Sequence, residues 1–332
     1  MLTFLAESTV HTLDPFVFEI APGVGPRWYG VSYLAGFVVG WLLLRALARR
    51  SLIPLRADQV GDLLTYLVIG VVAGGRIGHV LFYERPLLWT FEPSFPWWGL
   101  LAIHKGGMSS HGGIIGVVLA TWLFARRNSI QVGAVMDAAA FVAGPGLGFG
   151  RLANLVNGEL PGKVLPASMQ ADPPWWSIKY PDEILSPTFP DPAALEPLRR
   201  LVDPLRPFPE SLVDAAYAGR QDVIDALVPL LPAHYPSQVF QAITDGLVLP
   251  LVLVIVWWKP RPAGTITGAF FVAYGVLRMT TEQFREPDAG VFAIGAITLP
   301  MLLSLAMVVL GLAGCILVRR APRIGGIGGG RS

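Results

Sequence analysis

A single cysteine, Cys315, occurs in 332 residues. That excludes an internal disulfide and a cysteine-built metal site. Set in an apolar run, it reads as a small hydrophobe rather than a nucleophile. Charge is scarce as well. Only 14% of residues are charged against 53% hydrophobic, a balance that excludes an ordinary soluble domain and fits a polytopic membrane protein. The net charge of +2 gives no basis for nucleic-acid binding. The first twenty residues, MLTFLAESTVHTLDPFVFEI, lack a basic n-region and a long apolar core, so no cleavable signal peptide is expected and the first span does the targeting. HExxH, P-loop, nucleophile-elbow and dinucleotide signatures are missing, as is any internal repeat. His104 and His111 lack metal-ligand spacing with nearby acids, so no metal is expected.

What is present is a series of long apolar runs. A span needs roughly 20 mostly apolar residues. Seven candidates lie near 28–47, 61–83, 109–126, 132–154, 237–258, 264–283 and 292–318. The basic residues of the short loops orient them. Arg45, Arg49, Arg50 and Arg56 follow the first span, Arg126 and Arg127 the third, Lys259 and Arg261 the fifth, and Arg319, Arg320 and Arg323 the seventh. With seven spans all four clusters fall on one face, which is then cytoplasmic. The expected fold is an all-α integral membrane protein with seven transmembrane helices, N-terminus outside and C-terminus cytoplasmic. Arg85 and Lys105 are the sparser external basic residues, and Trp97, Trp98, Trp257 and Trp258 fit interfacial belts.

Residues 160–235 are too polar to span and form a long external insert. Two pieces read as helical, PAALEPLRRLVD and ESLVDAAYAGRQDVIDALVPLL. The second places Leu212, Val213, Ala216, Val223, Ala226 and Leu227 at roughly amphipathic spacing. It either lies on the outer membrane surface or caps the core, or it belongs to a plain external subdomain. The tail IGGIGGGRS reads as a flexible end.

Six of the seven spans carry polar or aromatic groups to the external membrane half: Tyr29; Arg76, His79, Tyr83 and Glu84; His111; Arg151, Asn154, Asn157 and Glu159; the stretch HYPSQVFQ; and YGVLRMTTEQFRE. The seventh carries no charge and reads as a packing or lipid-facing helix. A charge near the bilayer centre costs about 2.5–3.5 kcal/mol. One arginine there reads as a snorkelling group or a structural ion pair. Several on different helices in one membrane half read as a site. Tyr274, Arg278, Glu282 and Arg285 form one helical stripe, in which Glu282 is placed to bridge Arg278 and Arg285. Arg151, Asn154 and Asn157 form another, and Gly148 and Gly150 beside them permit close approach of a helix or ligand. The guanidinium fork suits a phosphate, so a phospholipid head group fits, and a carboxylate fits almost as well. His111 opens a helix at HGG, where it suits either a general base or a donor to a backbone carbonyl. Gly74 and Gly75 read as packing positions.

As a set, RWYG, GGRIGHVLFY, GGMSSHGG, GFGRLANLVNGELPG, YPSQ and YGVLRMTTEQFREPD resemble, in that order along the chain, the signatures of the prolipoprotein diacylglyceryl transferase family. The resemblance covers nearly all the chain outside the insert. It implies a seven-helix, multi-pass enzyme of the bacterial inner membrane with its active site toward the outer leaflet. Such enzymes move the diacylglyceryl group of phosphatidylglycerol to the lipobox cysteine of a prolipoprotein signal peptide, releasing glycerol 1-phosphate, with no metal or organic cofactor. The whole chain, 1–332, is then one membrane-embedded catalytic domain carrying the insert.

By motif position, the resemblance implies catalytic roles for His111, Arg151 and Arg278. It implies substrate binding by Tyr29, Asn154, Glu159, Gly162, Tyr274, Glu282 and Arg285. His111 is the expected base for the thiol, and Arg151 and Arg278 the groups that stabilise the departing phosphate. Glu159 and Glu282 are expected to orient those arginines. Gln241, Ser110 and the length of the insert depart from the family's usual pattern. A membrane transporter and a lipid-binding scaffold for an anionic ligand are the competing classes. A transporter needs polar groups in the cytoplasmic half too, where Asp62 and Asp137 are the candidates.

Overall fold

The computed structural model describes residues 8–20, 25–93, 95–103, 107–286, 293–294 and 297–329. His104, Lys105, the end of the REPD motif and the last three residues of the tail lie outside these, as does the side chain of His111. The chain is mostly helical: α1 Trp28–Arg49, α2 Gln59–Phe82, α3 Ser110–Arg127, α4 Val132–Val156, α5 Ala167–Gln170, α6 Glu210–Tyr217, α7 Gln221–Leu227, α8 Ser237–Ile243, α9 Leu249–Val256, α10 Thr265–Glu282 and α11 Leu299–Leu317. Five helical stretches among the described residues are long and apolar enough to cross a membrane: Trp28–Arg49, Gln59–Phe82, Val132–Val156, Ser237–Val256 and Leu299–Arg320. The chain is therefore a helical, multi-pass membrane protein. Helices α3 and α10 coincide with the third and sixth expected spans. They have 18 residues each, and that length includes Arg126 and Arg127 in one and Arg278 and Glu282 in the other, so they are shorter and more polar than the rest.

Helix α11 begins later than the apolar pattern of the seventh expected span suggests. Ala293–Ile294 pairs antiparallel with Ile297–Thr298, and the helix starts only at Leu299. Local pairing of β-branched residues wins over helix propensity there.

The helices fall into two compact units. One comprises Gly36–Gly146, Val248–Gly275 and Ala306–Ser332. Within it α2 and α3 pack backbone to backbone. A Cβ added at Gly74 would lie 2.4 Å from the Gly112 carbonyl oxygen, and one at Gly116 only 1.9 Å from that of Gly70. These glycines are a small-xxx-small contact, which in lipid gains its energy from close van der Waals approach. Asp137, on α4, is fully buried and caps α10: Gly264 N and Thr267 N each donate to it at 2.7 Å, and the Thr267 hydroxyl at 2.8 Å. It satisfies the orphan N–H groups of a helix start. Arg76 donates to the carbonyls of Gly99, Leu100 and Gly107 at 2.6, 2.9 and 3.2 Å, bracing the loop that leads into α3.

Two expectations change in this unit. Trp257 is fully buried, stacks edge-on against Phe141 and donates Nε1–H to the Gly325 carbonyl at 2.7 Å. It is a core residue rather than a belt residue, whereas Trp258 is exposed. The tail is held rather than loose as far as Gly329: Ile324 pairs with Arg261, and the N–H groups of Ile327 and Gly328 donate to the carbonyls of Trp257 and Trp258. Glycines at 326 and 328 let the tail lie directly on that backbone.

The other unit comprises Met1–Ala35, Leu147–Leu247 and Val276–Leu305, and so contains the insert. The segment read as one amphipathic helix is two, α6 and α7, broken where Gly219 adopts φ +76°. Their apolar faces do not go to the membrane surface. Leu212, Val213, Ala216, Val223 and Leu227 close a small core with Ile184, Phe189, Leu195 and Leu231. The insert is thus a subdomain with its own interior. The segment PAALEPLRRL is a 3₁₀ run, Pro192–Leu201, started by Asp191, whose side chain accepts from Ala194 N. At the base of the insert, entry and exit are paired: Leu165 N donates to Ala233 O at 2.8 Å and Tyr235 N to Lys163 O at 3.0 Å.

Candidate active site

The end of α4 organises the site. Gly158, at φ +66°, ends the helix in a Schellman motif, with Gly158 N donating to Leu155 O at 3.1 Å and Glu159 N to Asn154 O at 2.9 Å. That turn folds Glu159 back over Asn154. Tyr29, in the first turn of α1, meets both, its hydroxyl within hydrogen-bond reach of the Asn154 amide and 2.5 Å from Glu159 Oε2. A tyrosine has one hydroxyl proton. It is donated either to Asn154 Oδ1 or to Glu159 Oε2, so the two acceptors share one donor.

Next, Leu160 holds φ +57°, a conformation costly for a branched side chain. The YPSQ motif supports it. Ser237 Oγ donates to the Leu160 carbonyl at 3.0 Å, and the buried Gln238 amide donates to the Glu159 carbonyl at 2.8 Å. The motif therefore acts on the backbone of GELPG, a role that only its spatial position reveals.

Gly162 lies where three backbone segments meet. It bridges to Arg285, and a Cβ there would sit 2.0 Å from the Tyr235 carbonyl oxygen and 2.9 Å from that of Phe284. Only a hydrogen fits. Its own carbonyl meets His234 Nδ1 at 2.7 Å, and His234 Nε2 lies 2.8 Å from Glu183 Oε1 in the insert. Burial pulls the His234 pKa down, but the hydrogen bond and charge of Glu183 outweigh it, and the net shift is upward. His11 moves the other way, lowered by burial, while its Nε2 contacts the Leu155 carbonyl at 2.7 Å. Burial pushes the insert's Tyr180 up to about 12.

The arginines are paired inside this unit. Arg278 Nη2 contacts Glu282 Oε2 at 2.8 Å, one turn on along α10, and the Thr298 hydroxyl donates to Glu282 Oε1 at 3.4 Å. Arg285 is buried beside the Gly162 crossing. Arg151 Nε donates to Asp245 Oδ2 at 3.2 Å. Sequence reasoning passed over Asp245, yet the signal was there: a carboxylate within the apolar run of the fifth span, followed by a glycine. Of the two glycines expected to permit close approach near Arg151, Gly148 does, since a Cβ there would lie 2.6 Å from Gly246 Cα, whereas Gly150 faces open space.

Tyr29, Arg151, Asn154, Glu159, Gly162, Arg278, Glu282 and Arg285 thus belong to one unit. Tyr274 belongs to the other, where its ring stacks on Phe270 with centroids 5.6 Å apart. His111 lies in the first turn of α3, whose N-cap is Ser109. Among the described residues no group of three or more His, Cys, Asp or Glu is placed to hold a metal ion. The arrangement offers fixed guanidinium groups for an anion and a phenol, amide and carboxylate cluster for hydroxyl groups.

Residues 15–317 match the family model for prolipoprotein diacylglyceryl transferase. A phosphatidylglycerol–prolipoprotein diacylglyceryl transferase of Bdellovibrio bacteriovorus is 39% identical over 343 aligned positions, covering 95% of each chain. Proteins of the same description from Xanthomonas oryzae and Rhodospirillum rubrum are 36% and 35% identical, covering 94% and 96% of each chain. With the match spanning nearly its full length, the chain belongs to the prolipoprotein diacylglyceryl transferase family.

Proposed function

We propose that this protein transfers the diacylglyceryl group of phosphatidylglycerol to the lipobox cysteine thiol of a prolipoprotein, an early step of lipoprotein maturation. The cysteine sulfur forms a bond to the glyceryl carbon. The bond from that carbon to the phosphate oxygen breaks, and the oxygen leaves with the electron pair as glycerol 1-phosphate. The thiol proton passes to a base, for which His111 is the candidate, because the thiolate is the competent nucleophile.

The observation that carries this reading is the pairing of the two candidate catalytic arginines with buried carboxylates, Arg151 with Asp245 and Arg278 with Glu282. Guanidinium groups held in that way are set for charge developing on a departing phosphate ester. Tyr29, Asn154 and Glu159 supply partners for the glycerol hydroxyls, and Gly162 and Arg285 hold the backbone around them. Tyr274 positions the lipid or the incoming peptide.

In this reading the chain is a single catalytic domain of the bacterial inner membrane with seven spans. Its N-terminus and the 160–235 insert are outside, its C-terminus is cytoplasmic, and the site faces the outer leaflet. The loop arginines support that orientation through the positive-inside bias. A transport pathway has less support, because Asp137 is consumed as a helix cap.

The test is direct. Purified protein in vesicles with labelled phosphatidylglycerol and a lipobox peptide should yield lipidated peptide, and Arg151→Ala should abolish it while remaining folded. Solute or lipid flux without lipidated peptide, or full activity in Arg151→Ala, would overturn the assignment.

A further inference from the structure

We infer that Asp245 is a positioning residue for diacylglyceryl transfer and acts through Arg151; the inference rests on the reaction proposed above. Asp245 is 1% exposed, lies 3.2 Å from Arg151 Nε, and stands within electrostatic range of Arg278 as well. The motif pattern does not include it.

Local structure brings it there. Residues Thr244–Val248 form a π-helical turn between α8 and α9. Such a turn inserts a residue and shifts the downstream residues out of α-helical register, a device found mostly at functional sites. The adjoining Gly246 lies against Gly148 of α4, where a Cβ on either residue would come within 3.0 Å of the other's Cα. With no side chains between them, the two backbones approach closely enough for a short Asp to reach Arg151.

Stability does not explain the pair. A buried ion pair seldom outperforms apolar residues of similar volume, because desolvation offsets the attraction. Orientation does explain it. A contact at Nε restrains rotation of the guanidinium plane about its last single bond. The donor fork then has one direction before substrate arrives, which is what preorganised stabilisation of a leaving phosphate requires.

The experiment measures kcat and the KM for phosphatidylglycerol in vesicles, per folded protein, with a lipobox peptide as acceptor. Wild type is compared with Asp245→Asn, Arg151→Lys and the double variant. Asp245→Asn should lower kcat at least tenfold while KM stays within threefold. The double variant should be no slower than the slower single one, because both changes remove the same restraint. Wild-type kcat in a folded Asp245→Asn protein, or fully multiplicative losses in the double variant, would overturn the inference. Should Asp245→Asn not fold, Asp245→Glu carries the test: kcat should fall at least threefold with KM within twofold, and wild-type kcat there overturns it too. A wild-type protein that makes no lipidated peptide sinks the reaction itself, a separate outcome.

Discussion

The hydroxyl of Tyr29 and the carboxylate of Glu159 meet at 2.5 Å across 130 positions of sequence. The contact ties the first turn of α1 to the turn that ends α4. It makes Tyr29 an internal partner of Asn154 and Glu159. Tyr29→Phe keeps the ring and removes only the shared hydroxyl. Loss of a hydrogen bond to a charged group costs roughly 1.5–3 kcal/mol, so transfer should slow by about tenfold or more. The rate per folded protein, with the melting temperature as control, checks this. An unchanged rate would remove the hydroxyl from the mechanism.

Gly162→Ala tests a different kind of requirement. The new methyl would overlap the Tyr235 carbonyl oxygen, and backbone cannot swing aside as a side chain can. Overpacking of this kind costs about 1–3 kcal/mol and displaces what surrounds it. Here that includes Arg285 and His234. The variant should melt at lower temperature and lose most activity, while Gly150→Ala, which meets nothing within 4 Å, should melt like wild type.

Two buried histidines, His11 and His234, give stability opposite slopes in pH. The raised pKa of His234 means that its contribution is full below the ordinary histidine value near 6.5 and is lost as pH rises through the folded-state value. The lowered pKa of His11 means that its neutral form favours the fold above that ordinary value, and the advantage is lost as pH falls through its folded-state value. Melting temperature against pH should therefore decline on both sides, and His234→Gln should flatten the alkaline side only. A His234→Gln protein with an unchanged alkaline slope would show that another group is responsible.

Glu282→Gln leaves Arg278, whose side chain is 11% exposed, without its buried ion-pair partner on α10. Breaking such a pair costs ~3–5 kcal/mol, so both stability and activity should fall. The double variant Arg278→Met with Glu282→Leu removes both charges and should recover most of the lost melting temperature without recovering transfer. Recovery of transfer in that double variant would mean that Arg278 does no chemistry.

Helix positions and arginine stripes were legible because lipid imposes a simple rule: spans must be long and apolar, and charge inside them must have a reason. Tyr29, Asn154 and Glu159 were legible as a motif, though their mutual hydrogen bonds depend on the turn at Gly158. Asp245 escaped because its partner lies 94 positions away and no periodicity links the two. Trp257 escaped because a buried tryptophan and an interfacial one look alike at the end of an apolar run. The tail looked loose because glycine-rich composition also suits a segment that must lie flat on another backbone. The insert's amphipathic spacing was readable, but spacing does not say what the apolar face packs against.

The paired base of the insert has a further consequence. Residues 163–165 and 233–235 are stitched together whatever lies between them. The stretch between them, 166–232, is therefore a closed excursion, and its length is not transmitted to α4 or to the helix that begins at Ser237. Because closing a longer loop adds only about 0.6 kcal/mol per doubling, such an appendage can grow, shrink or be replaced at little energetic cost. The insert is in effect a graft on a fixed stem: it can be re-shaped for new surroundings while Arg151 and Asp245 keep their spacing.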